Sequence, residues 1–312
     1  MPARLLLLLG CAAMMLMQTP LLAQGRVVSE TNFFSQIFQT NRFVRVYLPA
    51  SYETEPTKKF PVLYVHDGQN AFTTAGPHAA FGWGNWELDK TASELAKSGK
   101  MREIIMVAVD CTRERYREYR GPSTNWPPAE NEAFSKYALF LTQELKPSID
   151  KQYRTLKGAM DTGTLGSSMG GICSLALSWR HPETFGLAAS ISGAYQVEKR
   201  FFLNEVLATY KGPRKPLRVY LDSGITDHAG GDDGASLTRA VAAQLERIGY
   251  RPGKDLMHFV DDKPLTAAQL EPMHLPTDKF LEAQKSQHNE MYWRLRAHRA
   301  LTFLFPPELS GK

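Results

Sequence analysis

Polar and apolar residues alternate from Ser29 to Leu48, most plainly along Arg42-Phe43-Val44-Arg45-Val46-Tyr47. A period of two places each class on one face of an extended chain, so this stretch predicts antiparallel strands with one buried face. Residues 49–60 are polar, contain Pro and Lys, and read as a loop. Beyond them the pattern changes to short apolar runs within 60–68, 103–110, 161–168, 186–193, 217–224 and 255–262. Runs of this kind suit strands covered on both faces. Helical patterns separate them at 85–98, 130–153, 172–179, 236–248 and 289–305, with Pro147 as a candidate break in the second. Alternating strand and helix predicts an α/β domain over residues 24–312. It has a mostly parallel sheet, helices on both faces and an antiparallel N-terminal edge. Residues 263–287 fit neither pattern, and a connection of that length is usually functional or mobile.

The first 23 residues stand apart. Arg4 precedes an apolar run from Leu5 to Met17, interrupted only by Gly10, and Pro20 and Ala23 follow. This order reads as a secretory signal peptide, which predicts a secreted or periplasmic chain with no membrane attachment after cleavage. A spanning helix needs about 20 apolar residues, more than this run supplies. A lipoprotein reading through Leu8-Leu9-Gly10-Cys11 leaves too short a hydrophobic segment before the cysteine.

Apolar residues make up 43% and charged residues 22% of the chain, enough to bury a sizeable core. The net charge of +5 is spread among both signs without a run of like charges. Nucleic acid is therefore not an expected partner. Cys111 and Cys173 remain once Cys11 leaves with the leader. Export would permit them to pair, but Cys173 falls in a helix expected to be buried and reads as a free thiol. No CxxC and no metal-ligand spacing of Cys and His is present, so no metal is expected.

The sharpest chemical signal is Gly166-Ser167-Ser168-Met169-Gly170. A G-x-S-x-G sequence between a strand and a helix holds its serine on a tight, strained turn, with small residues on either side to let the backbone pass. The spacing selects Ser168 as nucleophile. A serine hydroxyl needs a base, and in this arrangement acid and histidine follow it in the chain. Of eight histidines, His288 fits best because it leads directly into the last helical pattern. His274 is the runner-up; His181, His258, His298 and His78 read as structural or surface residues. Asp227, in the turn after the strand Leu217–Ser223, is the first choice for the acid. Asp232 and Asp233 are the alternatives, with plain turn chemistry as their bland reading. Asp222 lies on the strand itself and is set aside. The expected oxyanion donors are the backbone N–H groups of Met169 and Gln69, the latter after Gly68. His66, Asp67 and Asn70 either touch substrate or brace that loop. Trp83, Trp86 and Trp126 flank loops and serve ring stacking or packing equally well.

The segments YLPASY, FPVLYVHDGQNAF, GSSMGGICSLALSWRHPETFG and HNE resemble the esterase-D-like branch of the α/β-hydrolases. That branch includes feruloyl, acetylxylan and enterochelin-type esterases. The resemblance runs from about Phe43 to Phe305 and implies an α/β-hydrolase fold without a cofactor. Position by position it implies Ser168, Asp227 and His288 as the triad, with Gln69 and Met169 as oxyanion donors. It also places Arg113, Arg117 and Tyr119 along a substrate-side loop. The 263–287 stretch is longer than expected for the branch and reads as a flap over the site. The leading expectation is a carboxylic ester hydrolase working through an acyl-enzyme. Its ester would be a small molecule or polysaccharide-linked: feruloyl or acetyl esters, or siderophore lactones. An acyltransferase with the same triad and a non-catalytic binding module remain as alternatives.

Overall fold

The computed structural model describes residues 24–125, 127–228 and 230–308. The predicted signal peptide and Trp126 lie outside the described residues. The strands are β1 (Arg26–Ser35), β2 (Thr40–Leu48), β3 (Val62–His66), β4 (Ile105–Val109), β5 (Thr162–Ser167), β6 (Leu187–Ile191), β7 (Arg218–Ser223) and β8 (Leu256–Val260). They form one sheet in the order β1-β2-β4-β3-β5-β6-β7-β8. β1 and β2 pair antiparallel, as do β2 and β4, and every pairing beyond β4 is parallel. The antiparallel edge and parallel body therefore match the change of sequence pattern at residue 60.

The parallel strands read as continuous apolar runs because both faces are covered. Val62, Tyr64, Ile105, Val107 and Val109 point into one core layer. It is closed by α3 (Pro128–Leu139), α4 (Met169–Arg180) and α5 (Ala235–Ile248). Leu63, Val65, Met106 and Ala108 point into the other. That layer is closed by α1 (Leu88–Lys97) and α7 (Glu290–Leu304). Two further short helices, α2 (Arg115–Tyr119) and α6 (Thr277–Ala283), matter below.

Two expectations change. Pro147 does not break its helix. A π-helical stretch, Phe140–Leu145, leads into the helix Lys146–Gln152 and places Pro147 in its first turn. The wider turns of the π stretch just before it accommodate a residue that has no N–H to donate. Residues 263–287 are also more ordered than their weak periodicity suggested. Ala267–Leu270 and α6 are too short to show a repeat, yet Leu270 and Ala283 pack with Ala80, Trp83, Met291 and Tyr292 in a third apolar cluster. The Tyr292 hydroxyl accepts from the Leu265 N–H at 2.9 Å and donates to the Ala283 carbonyl at 3.1 Å. Glu282 on α6 pairs with His228 at 3.2 Å, which ties the segment to the loop after β7. Cys111 and Cys173 are both free thiols.

Candidate active site

Parallel strands in an open α/β sheet carry their ligand sites at their C-terminal ends. Here those ends carry His66-Asp67-Gly68, Ser168, Ser192 and the loop from Gly224 to Gly234. Ser168 sits between β5 and α4 with φ 52° and ψ −120°, a conformation costly for a residue with a side chain. Its neighbours make that conformation reachable. A Cβ on Gly166 would lie 2.5 Å from the Gly170 backbone, and one on Gly171 would lie 2.9 Å from the Gly193 Cα. The Ser168 N–H donates to the Ile191 carbonyl at 3.0 Å, and its carbonyl accepts from Ala194 at 2.9 Å. The hydroxyl is thereby fixed at the N-terminus of α4, where the helix dipole favours negative charge.

His288 is held from both sides in sequence. Asn289 caps α7 by accepting from the Tyr292 N–H. Gln287 is buried; its Oε1 accepts from the Ile225 N–H at 2.7 Å and its Nε2 donates to the Asp261 carbonyl at 3.0 Å. The His288 ring meets Trp293 edge-on at 5.1 Å, and Trp293 rests on Trp86. His288 Nε2 lies 3.0 Å from Ser168 Oγ, and Nδ1 lies 2.5 Å from Asp233 Oδ1.

The acid beside His288 is thus Asp233, which corrects the expectation of Asp227. The chain after β7 does not offer its first aspartate to the histidine. Left-handed φ values at Gly230 (74°), Asp233 (51°) and Gly234 (71°) shape the loop, and the Asp233 carboxylate meets the Gly224 N–H at the end of the strand. Asp233 Oδ2 accepts from the Gly224 N–H at 2.5 Å and from Ser192 Oγ at 2.7 Å. Asp232 points the other way and caps α5 through the Ser236 N–H at 2.8 Å. Asp227 lines a hollow of about 210 Å³ shared with Asp233 and His288. Burial by itself raises the Asp233 carboxyl. Its bonds to His288 and Ser192 and the charges of His288 and Arg296 outweigh burial and hold it below the usual carboxylate range. An ionised carboxylate here can orient the imidazole and stabilise its cation.

The second loop of the site follows β3. A Cβ on Gly68 would strike the backbone of Ala108 and Val109 at 2.6 Å, so the turn can lie against β4 only as glycine. The Gln69 side chain faces away from Ser168 towards Cys111. Its Oε1 accepts from the Cys111 N–H at 3.1 Å and its Nε2 donates to Sγ at 3.3 Å. Among the described residues the backbone N–H groups of Gln69 and Met169 have no protein acceptor, so both can serve a ligand oxygen.

The remaining expected site residues separate into braces and surface groups. His66 is buried, 3.0 Å from the Tyr137 hydroxyl, and burial pulls its imidazole down to about 4. Tyr119 is also fully buried, against His66. Both side chains are enclosed by protein, which is the place of a brace for the loop rather than of the substrate contact expected. Asp67 binds Arg115 at 2.6 and 2.7 Å, with its Oδ2 against the start of α4. Arg113 and Arg117 stand exposed, Arg117 with Glu114 at 3.1 Å. The arginine of that loop that reaches the site is Arg115, which sequence reasoning passed over. Trp83 and Trp86 are buried packing residues. Glu290, at the start of α7, was also missed. Burial first, and then the Asp67 charge, raise its carboxyl to about 7. The "HNE" segment carried Glu290 in view, but nothing in the spacing announced Arg115 or Arg296.

The sequence pattern of the family described as putative esterase matches residues 35–296. Among curated relatives, an uncharacterized protein of Bacillus subtilis, YbbA, is 28% identical over 166 residues, covering 51% of this chain and 59% of that protein. An endo-1,4-beta-xylanase/feruloyl esterase of Xylanibacter ruminicola is 28% identical over 53% of this chain and 21% of its own length. Such matches thus span well under two thirds of those relatives. Among solved structures, a ferulic acid esterase superposes with a TM-score of 0.64 at 21% identity, covering 90% of this chain and 98% of its own. The enterobactin esterase of Shigella flexneri superposes with a TM-score of 0.62 at 19% identity, over 91% of this chain and 61% of its own. At these identities the superpositions establish a shared α/β-hydrolase fold. With residues 35–296 matched, the chain belongs to the putative esterase family.

Proposed function

We propose that this chain is an exported serine esterase that cleaves carboxylic esters through an acyl-enzyme. The observation that carries the reading is the unbroken hydrogen-bonded line from Ser168 through His288 to Asp233. Ser168 Oγ attacks the ester carbonyl while His288 Nε2 takes its proton. The carbonyl oxygen, now negative, receives the backbone N–H groups of Gln69 and Met169. His288 then gives the proton to the leaving alcohol, and water repeats the sequence on the acyl group. Asp233 remains ionised throughout and holds Nδ1–H.

The side chain of His288 is 26% exposed, and Ser168 is only half-buried. Water has access to such a site, which supports hydrolysis over transfer to another acceptor. Membership of an esterase family and the likeness to a ferulic acid esterase and an enterobactin esterase support feruloyl or acetyl esters, or siderophore lactones, as the class to try first. Export rests on the leader sequence, and mass analysis of protein recovered outside the cytoplasm should find Gln24 at its start.

The test is hydrolysis of p-nitrophenyl acetate and methyl ferulate by the wild type and Ser168→Ala. Turnover that vanishes in the variant is expected. Turnover that survives it removes Ser168 as nucleophile. A folded wild type inert on both esters, and on an enterobactin-type lactone, would sink the esterase reading.

A further inference from the structure

Behind the triad acid lies a second carboxylate that the reaction above does not use. Asp222 is on β7, fully buried, and 3.3 Å from Arg296 Nε. The same arginine reaches Asp233 Oδ2 at 3.5 Å through Nη2, which also donates to Ser192 Oγ at 2.6 Å. Ser192 passes that contact on to Asp233 at 2.7 Å, and its own N–H faces Asp222 Oδ1 at 3.3 Å. Ser192 holds φ 45°, so its backbone is strained into this bridging place. Tyr220 donates to Asp222 Oδ2 at 2.9 Å. Asp261, at the end of β8, stands 3.8 Å from Arg296 Nη1, and Arg299 of α7 acts on the Tyr220 hydroxyl. One buried arginine thus serves two fully buried aspartates, and only one of them touches His288.

We propose that Asp222 is a positioning residue for this triad: through Arg296 and Ser192 it sets how much negative charge Asp233 presents to His288. The inference rests on the serine-esterase reading. While Asp222 is ionised, it draws on the Arg296 charge, and Asp233 faces the imidazolium less compensated. Once Asp222 takes a proton, Arg296 turns its charge on Asp233, and the imidazolium formed in the transition state is held less well. Burial first, and the Asp233 charge after it, push the Asp222 carboxyl up to about 6, so both states occur across the working range.

The experiment is kcat/KM against pH from 5 to 9 for wild type, Asp222→Asn, Tyr220→Phe and Ser168→Ala. Asp222→Asn keeps the shape and fixes the neutral state. It should run roughly two- to fivefold below wild type at pH 8 and converge with it near pH 5, where wild-type Asp222 is itself protonated. Tyr220→Phe removes a donor to the carboxylate, so Asp222 holds its proton to higher pH. Its shortfall should be centred between pH 6 and 7 and close above that. A deficit that is constant with pH, or absent, in both variants overturns the proposal; should Asp222→Asn not fold, the Tyr220→Phe profile decides alone. Ser168→Ala keeps the outcomes separable: if it still turns over, the triad reading itself fails, whereas an inert Ser168→Ala beside a flat Asp222→Asn deficit defeats only the role of Asp222.

Discussion

Ser168 is put in place mainly by its own turn, Gly166 to Gly171, seated against Ile191 to Ala194, whereas Asp233 is put in place by Ser192, Gly224, His288 and Arg296, from three separate stretches of chain. At the elbow the constraint is steric and local. A strained φ and a set of missing Cβ atoms specify where the hydroxyl points. At the acid the constraint is electrostatic and long-range. A buried carboxylate must find donors and a counter-charge, and the residues that provide them lie up to 63 positions away from it, the spacing of Asp233 from Arg296. The first kind of site tolerates little change in backbone. The second tolerates little change in charge.

The largest effect should come from charge at the acid. Asp233→Asn offers His288 an amide, which can stabilise the wrong tautomer. A loss of about 10⁴ in kcat is expected by comparison with other Ser-His-Asp triads. Asp227→Asn should stay within a few-fold of wild type. Both are read as kcat on p-nitrophenyl acetate, and a larger loss for Asp227→Asn would return the acid to the position read from sequence.

That error shows which parts of the molecule were legible. The switch from alternating to continuous apolar runs gave the antiparallel edge and the parallel body, because face coverage acts on every residue of a strand. G-x-S-x-G gave Ser168, and the helix start gave His288, because both signals are local. The acid was not legible in the same way. Asp227, Asp232 and Asp233 share one loop, and the choice depends on two left-handed glycines and on a serine at the end of another strand. Asp222 was set aside as a strand residue, although its strand position is what aims it at Arg296. Arg115 went unnoticed because neither its spacing nor its neighbours distinguish it from Arg113 and Arg117.

The next effect tests the steric half on the oxyanion side. Gly68→Ala would bring its Cβ to 2.6 Å from the backbone of Ala108 and Val109, where no flexible side chain can yield. The loop must move, and with it the Gln69 N–H. Loss of one oxyanion donor costs about 10²–10³ in kcat, and that range is expected here with KM little changed. A Gly68→Ala enzyme with normal kcat would show that the Gln69 N–H does not serve the reaction. A smaller effect follows from Gln69→Ala, which keeps the N–H but removes the two bonds to Cys111. Roughly tenfold slower turnover is expected from the loosened loop.

The smallest effect separates the two aspartates by stability alone. Asp222 has its proton affinity raised from the usual 3.8 to about 6. Between those values the folded chain binds more protons than the unfolded one, so stability falls as pH rises through 6. The cost at neutral pH is on the order of 3 kcal/mol. Asn at 222 carries no charge and escapes that cost. The melting temperature of Asp222→Asn should therefore gain on wild type between about pH 4 and pH 6 and keep that lead up to pH 8. Asp233 has the opposite sign, because its partners hold it below the usual range. Its ionised form stabilises the fold above the ordinary carboxylate value and loses that contribution as acid protonates it. Asp233→Asn should lie below wild type at pH 7 and draw level only in strong acid. Two asparagines, both behind one histidine, should thus move the melting temperature in opposite directions with pH. Parallel curves would mean that Arg296 treats the two carboxylates alike.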